Sequence, residues 1–302
     1  MINGGKLLLI INPRAGKGKV GKLLPEILQI FQSKGFLSTV LITEKSGDAT
    51  EFVIQHGSAH DLIVCAGGDG TLSEVISGVF KGNIDRPIGY IPAGSANDYG
   101  SSLGLSTDPI AAAYDIVRGK PEIFDIGLYN GEPFAYVAAF GTFAKVSYST
   151  SQDMKNVCGH FAYVLEGIRN LHTLQAEHME FDIDGEKIEG DFILGLISNS
   201  FTVGGLLRFN PQQVMMDDGL LEITLIPMPT STKDLSDIVQ AISTQSYDDC
   251  QSIIFKRGQR IQIHAKDHTY WSLDGEYAPA SEHTTIQSIP RAIQIIIHQE
   301  HE

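Results

Sequence analysis

The sequence predicts two domains: an α/β domain with a three-layer, mainly parallel sheet, followed by a mainly antiparallel β-sandwich. Three observations predict this. Apolar strands alternate with amphipathic helices over residues 1–127. Beyond Asp125 the texture changes to period-two alternation, as in Glu177, Met179, Phe181 and Ile183 on one face of a strand. The glycine-rich and polar turns of the first half fall at the carboxyl ends of its strands, where open α/β sheets bind ligands.

The first-half elements follow in order. Lys6 to Ile11 is a strand, Val20 to Lys34 a helix with apolar Leu24, Ile27, Leu28 and Phe31, and Ser38 to Ile42 a second strand. Ser46-Gly47-Asp48 caps the next helix. Asp61 to Cys65 is a buried strand, a helix follows from Thr71, and Pro87 to Ile91 is the fourth strand. Short connections between such elements imply parallel strands with right-handed crossovers. In residues 128–302, strands are expected at Glu177 to Ile183, closed by the hairpin pair Asp184-Gly185, and at Asp191 to Ser198, Leu220 to Ile226 and Ser252 to Phe255. Further strands are expected at Arg260 to His264, His268 to Leu273 and Ala292 to His298, with helices at Phe161 to Leu171 and Thr232 to Thr244. With no repeat or low-complexity linker, the two domains are expected to abut with a cleft between them.

A formal charge of −14 disfavours nucleic acid as a partner. No apolar run approaches the roughly 20 residues of a membrane helix, and the amino terminus lacks a secretion signal. A cytoplasmic location is therefore expected, with no transmembrane segment. Cys65, Cys158 and Cys250 are too far apart for a disulfide framework or zinc knuckle. The pairs His56/His60 and His264/His268 lack a third metal ligand nearby. Lys256, Arg257 and Arg260 read as a solvated face.

The most informative segment is Ala66-Gly67-Gly68-Asp69-Gly70-Thr71, between a buried strand and a helix. Its glycines allow positive φ and expose backbone N–H groups, so an anion such as a phosphate can approach the helix N-terminus. Thr71 with Glu74 reads as a capping box. Asp69 among phosphate-binding amides calls for a cation, hence a metal–nucleotide complex. Asn12-Pro13-Arg14-Ala15-Gly16-Lys17-Gly18-Lys19 is a second glycine-rich turn, without Walker spacing. Pro92 to Tyr99 ends the fourth strand with small residues, an amide and a carboxylate.

Five ordered motifs make a recognisable pattern: Asn12-Pro13 with Gly16; Gly67 to Thr71 with Glu74; Gly94-Ser95-Ala96-Asn97-Asp98; Asp217-Asp218-Gly219-Leu220; and Leu273-Asp274-Gly275-Glu276. Together they resemble the soluble bacterial diacylglycerol kinase-like lipid kinases, a family related to sphingosine kinases and NAD kinases. The resemblance spans nearly the whole chain and implies an NAD kinase-like first domain. It also implies transfer of the γ-phosphoryl group of Mg-ATP to a lipid hydroxyl, most simply that of diacylglycerol or a related glycerolipid.

By the same resemblance, Gly67, Gly68, Asp69, Gly70, Thr71, Leu72 and Ser73 bind ATP together with Asn12, Thr43 and Ser95. Glu276 is the proton acceptor with Asp274 beside it. Asp69, Asp98 and Asp125 organise the catalytic magnesium. A structural magnesium falls to the Asp218 side chain and the Met215 and Leu220 carbonyls. Ser73 and Ser95 stand where relatives often carry asparagine and threonine, each keeping a hydrogen-bonding group. The lipid would be met by peripheral, transient attachment at the inner face of the cell membrane, and a homodimer is compatible with the chain. Two alternatives stay open at this point: phosphorylation of a soluble nucleotide, as in NAD kinases, and nucleotide binding without catalysis.

Overall fold

The computed structural model describes residues 4–141, 175–203, 207–208, 214–245, 247, 250–265, 269–279 and 281–298. Cys158, the expected helix at Phe161 to Leu171, Gly204-Gly205 and His268 lie outside them. The chain forms two compact units, Met1–Asp125 with Arg291–Glu302, and Ile126–Pro290. The last segment, Arg291–Glu302, is grouped with the first unit.

The first unit contains β1 (Gly5–Ile11), α1 (Lys19–Ser33), β2 (Phe36–Ile42), α2 (Asp48–His56), β3 (Leu62–Gly67), α3 (Asp69–Lys81), β4 (Ile88–Pro92), α4 (Asp98–Ser102), α5 (Pro109–Arg118) and the start of β5 (Lys120–Tyr129). β1 pairs in parallel with β2 and β3, and β3 with β4. The C-terminal strand, His283–Ile297, adds a further parallel partner through Ile295 opposite Ile88. Buried runs such as Leu7 to Ile11 and Leu62 to Ala66 are apolar on both faces, as a sheet covered on both sides requires. Leu7, Leu9, Ile11, Val64 and Ala66 share a core with Phe31 of α1 and Ala113 and Ile116 of α5. α2 and α3 pack on each other closely enough that a Cβ on Gly78 would lie 2.7 Å from Val53.

The second unit is antiparallel. It comprises the end of β5, β6 (Glu132–Phe134), β7 (Val137–Gly141), β8 (Glu177–Ile183), β9 (Glu186–Ser198), β10 (Thr202–Val203), β11 (Leu207–Arg208), β12 (Leu221–Pro227), α6 (Thr232–Thr244), β13 (Ile254–Gly258), β14 (Arg260–Ala265), β15 (Trp271–Leu273), β16 (Glu276–Ala278) and the first part of β17 (His283–Ile297). The long strand β9 pairs with β8 through its first half and with β7 and β12 through its second. Asp184 (φ 50°) and Gly185 (φ 95°) make the turn between β8 and β9, as the Asp-Gly signal required. Trp271 is fully buried against Phe140 and Tyr129, at 5.0 and 5.4 Å between ring centroids. α6 begins with the capping box of Ser231 and Asp234.

Candidate active site

In the first unit the carboxyl ends of β1, β3 and β4 carry three loops held together by short-range bonds. Asn12 follows β1: its N–H donates to the Ala66 carbonyl at 2.9 Å and its Nδ2 to Thr71 Oγ1 at 3.2 Å. Gly16 (φ 54°) presses its backbone against the Ala93 carbonyl, where a side chain has no room. Gly94 approaches Gly68 so closely that a Cβ would lie 2.6 Å from the Gly68 Cα. Asn97 (φ 54°) shapes that loop, with Oδ1 accepting from Gly94 N–H at 2.7 Å and Nδ2 donating to Gly94 O at 3.1 Å. Ser95 stands exposed at its tip. Thr43, just past β2, is tied to β1 by its N–H and hydroxyl, both to the Ile11 carbonyl.

α3 starts at Asp69, two residues before the sequence-predicted position, and Gly68 precedes it with no side-chain cap. The Leu72 N–H closes the first helical bond to the Gly68 carbonyl at 3.1 Å, so the amides of this thirteen-residue helix that face forward for an anion lie ahead of it, at Gly70 and Thr71. The predicted Thr71–Glu74 capping box is not formed, because Thr71 already lies inside the helix. Glu74 serves the neighbouring helix instead: its carboxylate accepts from Gly47 N–H (2.9 Å), Ala49 N–H (3.1 Å) and the Ser46 hydroxyl (3.2 Å), at the start of α2.

Asp69 accepts from the N–H groups of Asp98 (3.1 Å) and Tyr99 (3.3 Å), so it caps α4 and brings Asp98 beside it. Asp98 is buried. Tyr90, whose hydroxyl donates to the Gly67 carbonyl at 3.3 Å, has its phenol held well above the usual range by burial and then by the charges of Asp69, Cys65 and Asp98. Asp69, in the first turn of α3, and Asp98, whose N–H it holds, offer carboxylate oxygens on neighbouring residues, an all-oxygen donor set. That set fits magnesium, which uses one or two carboxylates and completes its shell with water and phosphate oxygens. Asp125 is fully buried and accepts from Arg291 N–H at 2.6 Å, which ties it to β17.

In the second unit Asp274 (φ 50°) and Gly275 (φ 88°) form the turn between β15 and β16, and Glu276 is exposed just past it. Asp274 is buried. Its Oδ2 accepts from Ala135 N–H at 2.6 Å, and its Oδ1 from Tyr136 and Val137 N–H at 3.0 Å each. The contacts of this carboxylate give it an anchoring role, which fastens the Glu276 turn to the start of β7.

Asp218, the carboxylate expected at a structural metal, has protein partners on both oxygens. Asp218 Oδ1 accepts the Leu220 N–H at 3.1 Å, and Oδ2 is bound to Arg257 Nη2. Arg257 also reaches Glu222 Oε1 with Nε at 3.2 Å. Glu222 is wholly buried, and burial pushes its carboxyl up to about 7 although Arg257 pulls the other way. Burial works against the Arg257 charge, but Asp218 and Glu222 outweigh it and raise its affinity for the proton. Met215 is half exposed. Among the described residues no three His, Cys, Asp or Glu side chains are grouped to hold a metal. Arg257 is thus not part of a solvated face. The signal that could have revealed this is Glu222, an acid inside the apolar strand Leu221 to Ile226, which needs a cationic partner.

Comparison with known proteins accords with this geometry. Residues 6–129 match the model of the diacylglycerol kinase catalytic domain, and residues 136–297 that of the YegS C-terminal NAD kinase beta sandwich-like domain. The diacylglycerol kinase of Staphylococcus saprophyticus is 31% identical over 270 residues, covering 89% of this chain and 88% of the relative. That of Bacillus subtilis is 29% identical over 271 residues, covering 89% of each. A solved structure of a diacylglycerol kinase from Bacillus anthracis superposes with a TM-score of 0.74 at 25% identity, covering 97% of this chain and 96% of that one. A second solved chain from that organism reaches 0.82 at 26% identity, covering 98% and 97%. With both halves matched in order and relatives aligned over most of their length, the chain belongs to the diacylglycerol kinase family and is a phosphotransferase.

Proposed function

We propose that this phosphotransferase is a lipid kinase that moves the γ-phosphoryl group of Mg-ATP to a hydroxyl of diacylglycerol or a related glycerolipid, yielding phosphatidic acid or its analogue and ADP. The observation that carries the reading is the start of α3, which no side chain caps, with Asp69 in its first turn holding the N–H of Asp98. In this reading the segment Gly67 to Ser73 cradles phosphates, with Asn12, Thr43 and Ser95 completing the nucleotide contacts. Asp69 and Asp98 hold magnesium, which when bound neutralises charge on the transferring phosphoryl group. Glu276 takes the proton of the lipid hydroxyl as its oxygen bonds to the γ-phosphorus and the bond to the ADP oxygen breaks. The lipid is met at a membrane surface by transient attachment, and the protein is otherwise cytoplasmic.

The test is incubation with labelled ATP, magnesium and diacylglycerol, monoacylglycerol or sphingoid lipids, with products identified by mass spectrometry. A phosphorylated glycerolipid is expected; no labelled lipid with any of them, or conversion of NAD to NADP, overturns the reading. Glu276→Gln is expected to lower turnover about 10²- to 10⁴-fold with ATP affinity nearly unchanged. Full turnover in that variant removes the base assignment.

A further inference from the structure

The loop from Met215 to Leu220 must be held in place, because it leads directly into the buried strand β12. Of its two acidic residues, Asp217 is exposed and Asp218 is largely buried, with 13% of the side chain exposed. Four residues on, Glu222 is buried completely, so two carboxylates lie in or at the protein interior close together in sequence. Such a pair is costly without compensating positive charge.

We propose that Arg257 is the built-in cation of this loop, with its guanidinium doing the work that the family resemblance assigns to a structural magnesium ion. The strand register dictates the arrangement. β12 and β13 are antiparallel with Glu222 directly opposite Arg257, so the arginine side chain leaves β13 beside the buried glutamate. Its Nε meets Glu222 Oε1 and its Nη2 meets Asp218 Oδ2. A planar guanidinium with five donors suits this bridging geometry, whereas a lysine ammonium would act as a point charge.

The same contacts leave poor terms for a dication. The carboxylate of Asp218 carries the Arg257 guanidinium on Oδ2 and accepts the Leu220 N–H on Oδ1. A magnesium ion on Asp218 would sit against a positive guanidinium and would have to displace it. It would also leave Glu222 buried without the charge that compensates it. Among the described residues Arg257 is the cation that pairs with both carboxylates. The expected result is a loop whose order does not depend on metal.

This assignment concerns the fold of the second unit and stands or falls separately from the lipid kinase reading. The experiment uses the full chain without nucleotide, stripped with EDTA and then titrated with magnesium chloride, with Asp69→Asn as a control that disables the nucleotide-side carboxylate. The melting temperature of the wild type is expected to change by less than about 1 °C between EDTA and millimolar magnesium. Arg257→Met is expected to melt roughly 5 °C or more below the wild type in EDTA, and Arg257→Lys to recover part of that loss. A magnesium-dependent rise of several degrees in the wild type that persists in Asp69→Asn overturns the proposal, as does Arg257→Met melting with the wild type. Because the wild-type titration needs no variant at Arg257, the proposal is tested even if Arg257→Met does not fold.

Discussion

Asp274 distinguishes an anchoring carboxylate from a proton-handling one by a single isosteric change. In Asp274→Asn the carboxamide keeps the shape of the side chain, and asparagine tolerates the positive φ of 50° at this turn. One of its two positions is now an NH₂ donor facing backbone donors. Oδ2 serves Ala135 alone and Oδ1 serves both Tyr136 and Val137, so the amide will turn its nitrogen toward Ala135 and lose one bond rather than two. A lost bond to a charged acceptor costs about 1.5–3 kcal/mol, and the two that survive weaken as their acceptor becomes neutral. The expected destabilisation is about 2–4 kcal/mol. Trp271, the sole tryptophan, is fully buried three residues before Asp274, so its fluorescence during urea unfolding reports on this unit. A variant that unfolds within about 0.5 kcal/mol of the wild type yet has lost turnover would refute the anchoring argument and return Asp274 to the chemistry.

Two further outcomes follow from the caps. Glu74→Ala removes the acceptor for Gly47 and Ala49 N–H and the Ser46 hydroxyl, and is expected to cost about 1–3 kcal/mol. Amide hydrogen exchange should speed up at residues 46–50, at the start of α2, before it does in α3 itself. Asp48, Asp108 and Asp234 are each held below the usual carboxylate value of 3.8, mainly by the Lys45 N–H, the Ala111 N–H and the Thr230 hydroxyl respectively. A depressed folded-state value means the stabilisation is present above pH 3.8 and is lost as pH falls through the lower, folded value. The triple replacement by asparagine should therefore flatten the acid limb of the stability curve below about pH 4, and an unchanged limb would contradict the assignment.

How much of the site was legible in the sequence depended on the range of the contacts involved. Gly94 to Asp98 and Leu273 to Glu276 are readable because asparagine and the Asp-Gly pair mark positive φ, which Asn97, Asp274 and Gly275 adopt; the glycines of Gly67 to Thr71 do not adopt it, and Gly68 (φ −89°) is needed instead for the close approach of Gly94. The start of α3 was misplaced by two residues because a threonine–glutamate pair has the form of a capping box wherever it stands. What it lacked was knowledge that Glu74 meets Gly47, 27 residues earlier. The second unit's strands were legible by period-two alternation, but the return of β17 to the first unit was not, since an apolar strand does not name its partner.

The sequence by itself determined the alternation of strand and helix, the change to antiparallel strands, the glycine-rich turn between β3 and α3 and the family pattern, because periodicity and turn chemistry are written in neighbouring residues. Only the tertiary structure decided which job each buried carboxylate holds. Asp69 caps α4, Asp274 anchors a strand 139 residues away by its Ala135 bond, and Asp218 is matched to an arginine 39 residues away. A carboxylate is defined by the donors that surround it, and in a folded chain those donors come from distant segments that no local pattern identifies.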